Sequence, residues 1–187
     1  MEGKDQQTDK NFFTKLTIAV TTDNNPRSNI ATGLKMIGNY CDCDRIHVIK
    51  TGYGLSISIS HEWCNRGIEP VREYIQGKKH LSHTDLQEQL NLNDHIRVNH
   101  RDELRCEELK KWMQTCEVHR LVVFPLYNRF SFSLLCLSRH EQKKEWEERE
   151  MDLFFDFSAI LAANLEKNTV LTGAMNRIRN NTTVRIP

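Results

Sequence analysis

Eight histidines and six cysteines are the side chains here best able to ligate a metal or attack a substrate, so their spacing is the first question. His80-x-x-His83, and His95 with His100, stand at spacings a zinc ion can use, and Cys41-x-Cys43 could supply two thiolates. No second Cys/His pair completes a zinc-finger set, which favours surface or core residues over a metal centre. Arg45 lies near enough to Cys41 and Cys43 to stabilise a thiolate, so redox sensitivity is a second use of that pair, although two reduced thiols are the simpler reading. Nucleophilic catalysis would need a cysteine beside a base, for instance Cys64 with His61. An extended strand turns those two to opposite faces, so no catalytic residue is assigned. Trp63 and Tyr53 could flank a small planar ligand, and with His61 and Phe124 they are the candidate ligand-binding residues. A tryptophan on an alternating strand is more often core, and no glycine-rich phosphate loop is present.

The elements that must hold these residues come from hydrophobic patterning. Leu121–Leu126 and Phe130–Leu137 are two β-rich runs joined by a short polar connection, which predicts an antiparallel hairpin at the centre of a sheet. Pro125 lacks an N–H and is expected at the end of its strand or at a bulge. A second hairpin is expected from Arg45–Lys50, the turn Thr51-Gly52-Tyr53-Gly54 and the alternating run Leu55–Trp63, which would place Leu55, Ile57, Ile59, His61 and Trp63 on one face. Asn25 can cap a helix whose first position is Pro26, with Ile30, Leu34, Ile37 and Cys41 as its apolar stripe. Gly33 and Gly38 weaken that helix, so packing must hold it. Residues 65–116 read as a cap over one face of the sheet: a short helix over Thr84–Leu92, a strand at Ile96-Arg97-Val98 and an amphipathic helix over Glu107–Cys116. A long helix from about Glu147 to about Lys167 follows, with Glu147, Glu148 and Glu150 in the first turn, where the helix dipole favours negative charge. Its apolar residues cover more than one face, which points to a partner helix and hence a homodimer through Phe157 and Leu161.

Composition bounds the rest. The 187 residues suit one domain, and 26 basic against 25 acidic residues leave no global pull towards nucleic acid or an anionic membrane. No run reaches the roughly 18 apolar residues of a membrane span, Met1–Gln7 is too polar for a signal peptide, and the scattered cysteines suit reduced thiols, so a cytoplasmic protein is expected. The expected organisation is a polar lead-in over 1–25 with its first eleven residues frayed, a domain over 26–168, and a linker or tail over 169–187.

Three segments resemble a GAF domain, an α+β sensory fold with a central, mostly antiparallel five- to six-stranded sheet and helices on both sides. Cys43-Asp44-Arg45-Ile46-His47-Val48-Ile49 is similar to that family's entry to its first strand. His61-Glu62-Trp63-Cys64-Asn65-Arg66-Gly67-Ile68-Glu69-Pro70 resembles a segment of a bacterial subgroup found beside PAS domains, histidine kinases and nucleotide cyclases. Phe124-Pro125-Leu126, Trp146–Glu150 and Ala162–Glu166 resemble the closing hairpin and helix. The family often has a glycine after the turn of that hairpin, and this chain has none at 128–132. Some members bind cyclic nucleotides and others attach bilins or haem; the residues expected for those uses are not matched here, so no cofactor is assigned. The resemblance implies a non-catalytic sensor of an unidentified small molecule or partner, in a two-component or related bacterial pathway, with its pocket between sheet and cap. Two other readings are a ligand-free dimerisation module and a thiol-dependent reductase of free methionine sulfoxide using Cys64, Cys106 and Cys116.

Overall fold

The computed structural model describes residues 2–51, 57–75, 90, 94–105, 107–127, 132–140 and 143–183. In chain order the elements are α1 (Glu2–Thr21), α2 (Pro26–Tyr40), β1 (Arg45–Thr51), β2 (Ile57–Cys64), α3 (Arg72–Ile75), β3 (Ile96–Val98), a 3-10 turn (Arg101–Glu103), α4 (Glu107–Thr115), β4 (Arg120–Tyr127), β5 (Phe132–Arg139) and α5 (Glu148–Thr183). The strands form one sheet in the order β2-β1-β5-β4-β3, with every neighbouring pair antiparallel. This is the α+β architecture expected from the sequence, with helices on both sides of the sheet.

Alternation along β1, β5 and β4 sends side chains to two separate apolar layers. Ile46, Val48, Val122, Phe124, Leu126, Leu135 and Leu137 meet α1, α2 and α5 on what we term the helix side. Ile49, Ile59, Leu121, Val123, Leu134 and Cys136 meet Val71, Leu90, Leu104, Leu109, Met113 and Cys116 of the cap on the other. Fully burying one such side chain stabilises by about 1.5–3 kcal/mol, so both faces contribute strongly and neither can be exposed cheaply.

The capping residue of α2 works as its sequence indicates: Asn25 Oδ1 accepts from the amides of Arg27 and Ser28, Pro26 takes the first position, and Ile30, Leu34 and Ile37 are buried. Its two glycines are there for close approach. A Cβ on Gly33 would lie 2.9 Å from the Phe157 ring, and one on Gly38 would lie 2.2 Å from Trp63.

Four expectations are corrected. Residues 2–11 belong to a helix rather than a frayed lead-in, and α1 sends Leu16 and Val20 into the helix-side core. Pro125 lies inside β4 in continuous register, opposite Leu134. β3 pairs only as far as Val123, so β4 is an edge on that side by Pro125, where a residue without an N–H is tolerated. The final helix runs to Thr183, sixteen residues past Lys167. Phe157 and Leu161 are 1% and 2% exposed, covered by the chain's own helix-side core, and so cannot form a surface for a second copy.

Candidate functional site

The strictly alternating run that suggested one lining for a pocket is split by a bulge. Ile59 pairs with Ile49 and His61 with Val48, so Ser60 is an extra residue on β2. A bulge adds one residue to one strand and shifts the alternation beyond it. Ile59 therefore faces the cap, whereas His61 and Trp63, opposite Val48 and Ile46, face the helix side. Trp63 packs on Gly38, and burial, with Lys50, Arg27 and Arg72 nearby, lowers the His61 pKa to about 4. Phe124 also faces the helix side, 1% exposed, edge-on to Phe154 and stacked by His95 at 5.0 Å between ring centroids. The expectation that His61, Trp63 and Phe124 line a cavity under the cap is thus corrected for their direction. Tyr53 lies outside the described residues.

On the cap side the same register brings together residues that the sequence reading had not singled out. β1 is an interior strand, so His47 is fully buried, opposite Glu62 of β2. The His47 Nε2 to Glu62 Oε1 distance is 3.2 Å. Glu62 Oε1 also accepts from the Val71 amide at 2.9 Å, and Arg72 Nε lies 4.0 Å from Oε2. Burial opposes the Glu62 charge, but the His47 bond, the Val71 amide and the nearby cations outweigh it and hold the carboxyl below its usual range. Burial also pushes the His47 pKa down, more than Glu62 lifts it, so the imidazole is neutral. An ionised carboxylate can only accept, which assigns the proton to Nε2 and leaves Nδ1 as a bare acceptor. Among the described residues that buried Nδ1 has no hydrogen-bond partner, and neither has Nε1 of Trp112 on α4, whose indole stands edge-on to His47 with ring centroids 6.2 Å apart. Leaving one such atom unpaired in an apolar interior costs about 1–3 kcal/mol, a cost that a buried water or a bound group relieves, and the same holds for Asn29 Oδ1, Ser133 Oγ and Trp146 Nε1 elsewhere in the fold.

The segments that carried the resemblance have structural work at the margins of this site. Arg45, 6% exposed, donates to the carbonyls of Glu69 and Cys116, tying both ends of the cap to β1. Asp44 accepts from the His140 amide and the Lys143 ammonium, closing β5 against the sheet entry. Gly67, at φ +80, makes the turn after β2. At the same end of β5, fully buried Arg139 grips both carboxylate oxygens of Glu150, the Cys41 carbonyl and the carbonyls of Lys144 and Glu145, and lies 3.8 Å over the Trp146 ring. Glu150 also accepts from the Glu147 amide, half of a capping box that starts α5.

Thiol chemistry finds no support among the described cysteines. Burial raises Cys41 and Cys136 to about 12 and Cys64 to about 11, and Cys43 well above its ordinary value, the reverse of what a thiol nucleophile needs. Cys106, like His80 and His83, lies outside the described residues. Among the described residues no group of three His, Cys, Asp or Glu side chains could hold a metal ion. His100 pairs instead with Glu145 at 3.4 Å. On the helix side, a cleft of about 80 Å³ opens between Asp9, Tyr40, Cys41, Lys144, Arg149, Glu150 and Leu153. It is far below the roughly 300–1,000 Å³ of a pocket that encloses an organic ligand, and it is remote from His47.

Comparison with protein-family models and with curated proteins finds no match to the sequence. Solved structures do match. The far-red absorbing dark state of JSC1_58120g3 with bound biliverdin IXa has a TM-score of 0.69 at 12% identity, covering 84% of this chain and 99% of that one. The phycocyanobilin-bound GAF domain from a cyanobacterial phytochrome gives 0.67 at 13% identity, over 87% and 96%. GAF3 from Slr1393 of Synechocystis sp. PCC6803, in its photoproduct state, gives 0.64 at 16% identity, over 79% and 97%. The chain has the GAF fold. No described helix is long and apolar enough to cross a membrane.

Proposed function

We propose that this domain is a non-catalytic sensory module that holds a small organic molecule between the sheet and its cap and passes the binding event to α5, within a bacterial two-component or related pathway in the cytoplasm. The observation that carries the reading is the fully buried His47, whose Nδ1 has no partner among the described residues. Structural neighbours that hold biliverdin or phycocyanobilin support a ligand-holding use of this fold. The route to α5 is short. Arg97 of β3 bonds Glu148 in the first turn of α5 at 2.6 Å, and Asn99 Oδ1 accepts from the Trp146 amide at 2.9 Å. A ligand that prefers one position of the cap therefore acts on the start of the long helix, by no more than its difference in affinity for the two arrangements.

The test is thermal unfolding of the full chain in the presence of a protein-free small-molecule extract of the cells that produce it. A ligand at about a hundred times its Kd adds about 2.7 kcal/mol, which for a domain of this size raises Tm by about 5–10 °C. The reading predicts such a rise, reversed by dialysis; an unchanged Tm contradicts it.

A further inference from the structure

Beyond the reading just given, and independently of any molecule the domain holds, we infer that His47 is an acid-sensitive fastening for the cap: a proton on its imidazole releases α3 and α4 from the sheet while the helix side stays folded.

The polar ties of the cap converge on this residue. Glu62 Oε1 accepts from the Val71 amide at 2.9 Å, one residue before α3. Arg45 donates to the carbonyls of Glu69 and Cys116, both at 2.9 Å, so one guanidinium holds the two ends of the cap. His47 stands between these ties. It lies two residues from Arg45 along β1, hence on the same face, and it meets Glu62 across the strand pair at 3.2 Å. Arg72 adds a bond of 3.5 Å to the Ser60 carbonyl, and Val71, Leu109, Met113 and Cys116 add apolar burial.

Charge decides what a proton does there. The groups that face His47 are Glu62 on β2, Arg45 on β1, Arg72 on α3, the Trp112 ring on α4 and Cys136 opposite it on β5. Lys110 and Glu107 of α4 pair with each other at 2.8 Å. One carboxylate thus stands beside two cations, and Arg45, 6% exposed, has no carboxylate partner among the described residues. A protonated His47 is a third cation with no exposed surface of its own. A water on Nδ1 would meet that nitrogen but bring no negative charge. Relief comes from bulk hydration, which requires α3 and α4 to lift. The helix-side layer lies across the sheet and contains none of these groups.

The sign follows from the closed form. Burial holds the His47 pKa below its ordinary 6.5 while the cap is down. Such a group stabilises the closed cap above about pH 6.5 and ceases to as pH falls towards its depressed value.

The experiment is amide hydrogen exchange on the ¹⁵N-labelled full chain at about pH 7 and about pH 5, corrected for the intrinsic pH dependence of exchange. The lower pH stays above the ordinary carboxylate range, which keeps Glu62 ionised. We expect the protection of Val71 and Met113 to fall about tenfold between the two, and at pH 5 to lie at least about tenfold below that of Phe157 and Leu161 on α5. His47→Gln, which keeps a donor for Glu62 but cannot take up the proton, should hold Val71 protection constant within about a factor of two. Equal protection of the two sets at pH 5 would make the loss global and overturn the inference. Unchanged protection of Val71 in the wild type, or an undiminished fall in His47→Gln, would overturn it as well. Should that variant fail to fold, the wild-type imidazole ¹⁵N titration decides: His47 must titrate below 6.5, and a midpoint at or above that value overturns the inference.

Discussion

Gly38 has no side chain because the Trp63 ring occupies the place where one would be. Alanine ordinarily stabilises a helix interior by up to about 1 kcal/mol over glycine, but here its Cβ would stand 2.2 Å from Trp63 Cζ3. Overpacking of this kind costs about 1–3 kcal/mol, so Gly38→Ala should lower stability in urea denaturation, and adding Trp63→Ala should restore part of the loss. A more stable Gly38→Ala variant would contradict the packing. Burial also governs the histidines. His47, His61 and His95 all have pKa values below the ordinary 6.5, that of His61 at about 4. A group with a depressed folded pKa contributes stability above its unfolded pKa and loses it as pH falls towards the folded one. Stability should therefore fall from about pH 6.5 downwards, with His61, which is partly solvated, contributing about 1–2 kcal/mol by pH 4. Denaturation midpoints of wild type and His61→Gln across that range should converge in acid; parallel curves would show that His61 titrates normally. The motif that resembled the GAF family is legible at this scale, because Asp44, Arg45, Glu62 and Gly67 each have a local task. The meeting of His47 and Glu62 with Trp112 was not, since it depends on a partner sixty-five residues along the chain from His47.

Among the elements, those with their own punctuation were readable and those defined by neighbours were not. Asn25-Pro26 announces α2, and the two β-rich runs announce β4 and β5. The bulge at Ser60 has no such mark: no glycine or proline stands there, and the run keeps a period of two in sequence while changing faces in space. α5 was read correctly at its start and too short at its end, and its wide apolar surface was assigned to a second copy. The surface is instead divided. Phe154, Phe157, Leu161 and Leu165 are buried, while Phe155, Val170 and Met175 are 54–67% exposed. Phe157→Asp should unfold the domain, since loss of a core phenylalanine costs about 3–5 kcal/mol before the buried charge is counted. Phe155→Asp should leave it folded, with far-ultraviolet circular dichroism separating the two. We place any self-association in the exposed set, so Val170→Asp with Met175→Asp should reduce the sedimentation mass of a dimer without unfolding the monomer. A dimer that survives that pair of changes would place the contact elsewhere.

At the scale of the whole molecule the sheet is a partition. Its helix side is filled by the chain's own α1, α2 and α5, locked further by the Asn29–Asn164 contact at 3.3 Å and by Arg139 with Glu150. Its cap side carries the polar pair that is left incomplete. Composition and pattern were enough for the class of fold, because it depends on summed burial. The side to which Glu62, His61 and Trp63 turn depended on one inserted residue in β2. The central claim is that the cap side is the binding face, and the most direct measurement is native mass spectrometry of the wild-type chain beside His47→Leu, each compared with its denatured mass. The account predicts a small-molecule adduct on the wild type that is lost, or greatly reduced, in the variant. Bare protein in both spectra, or the same adduct on both, would contradict it.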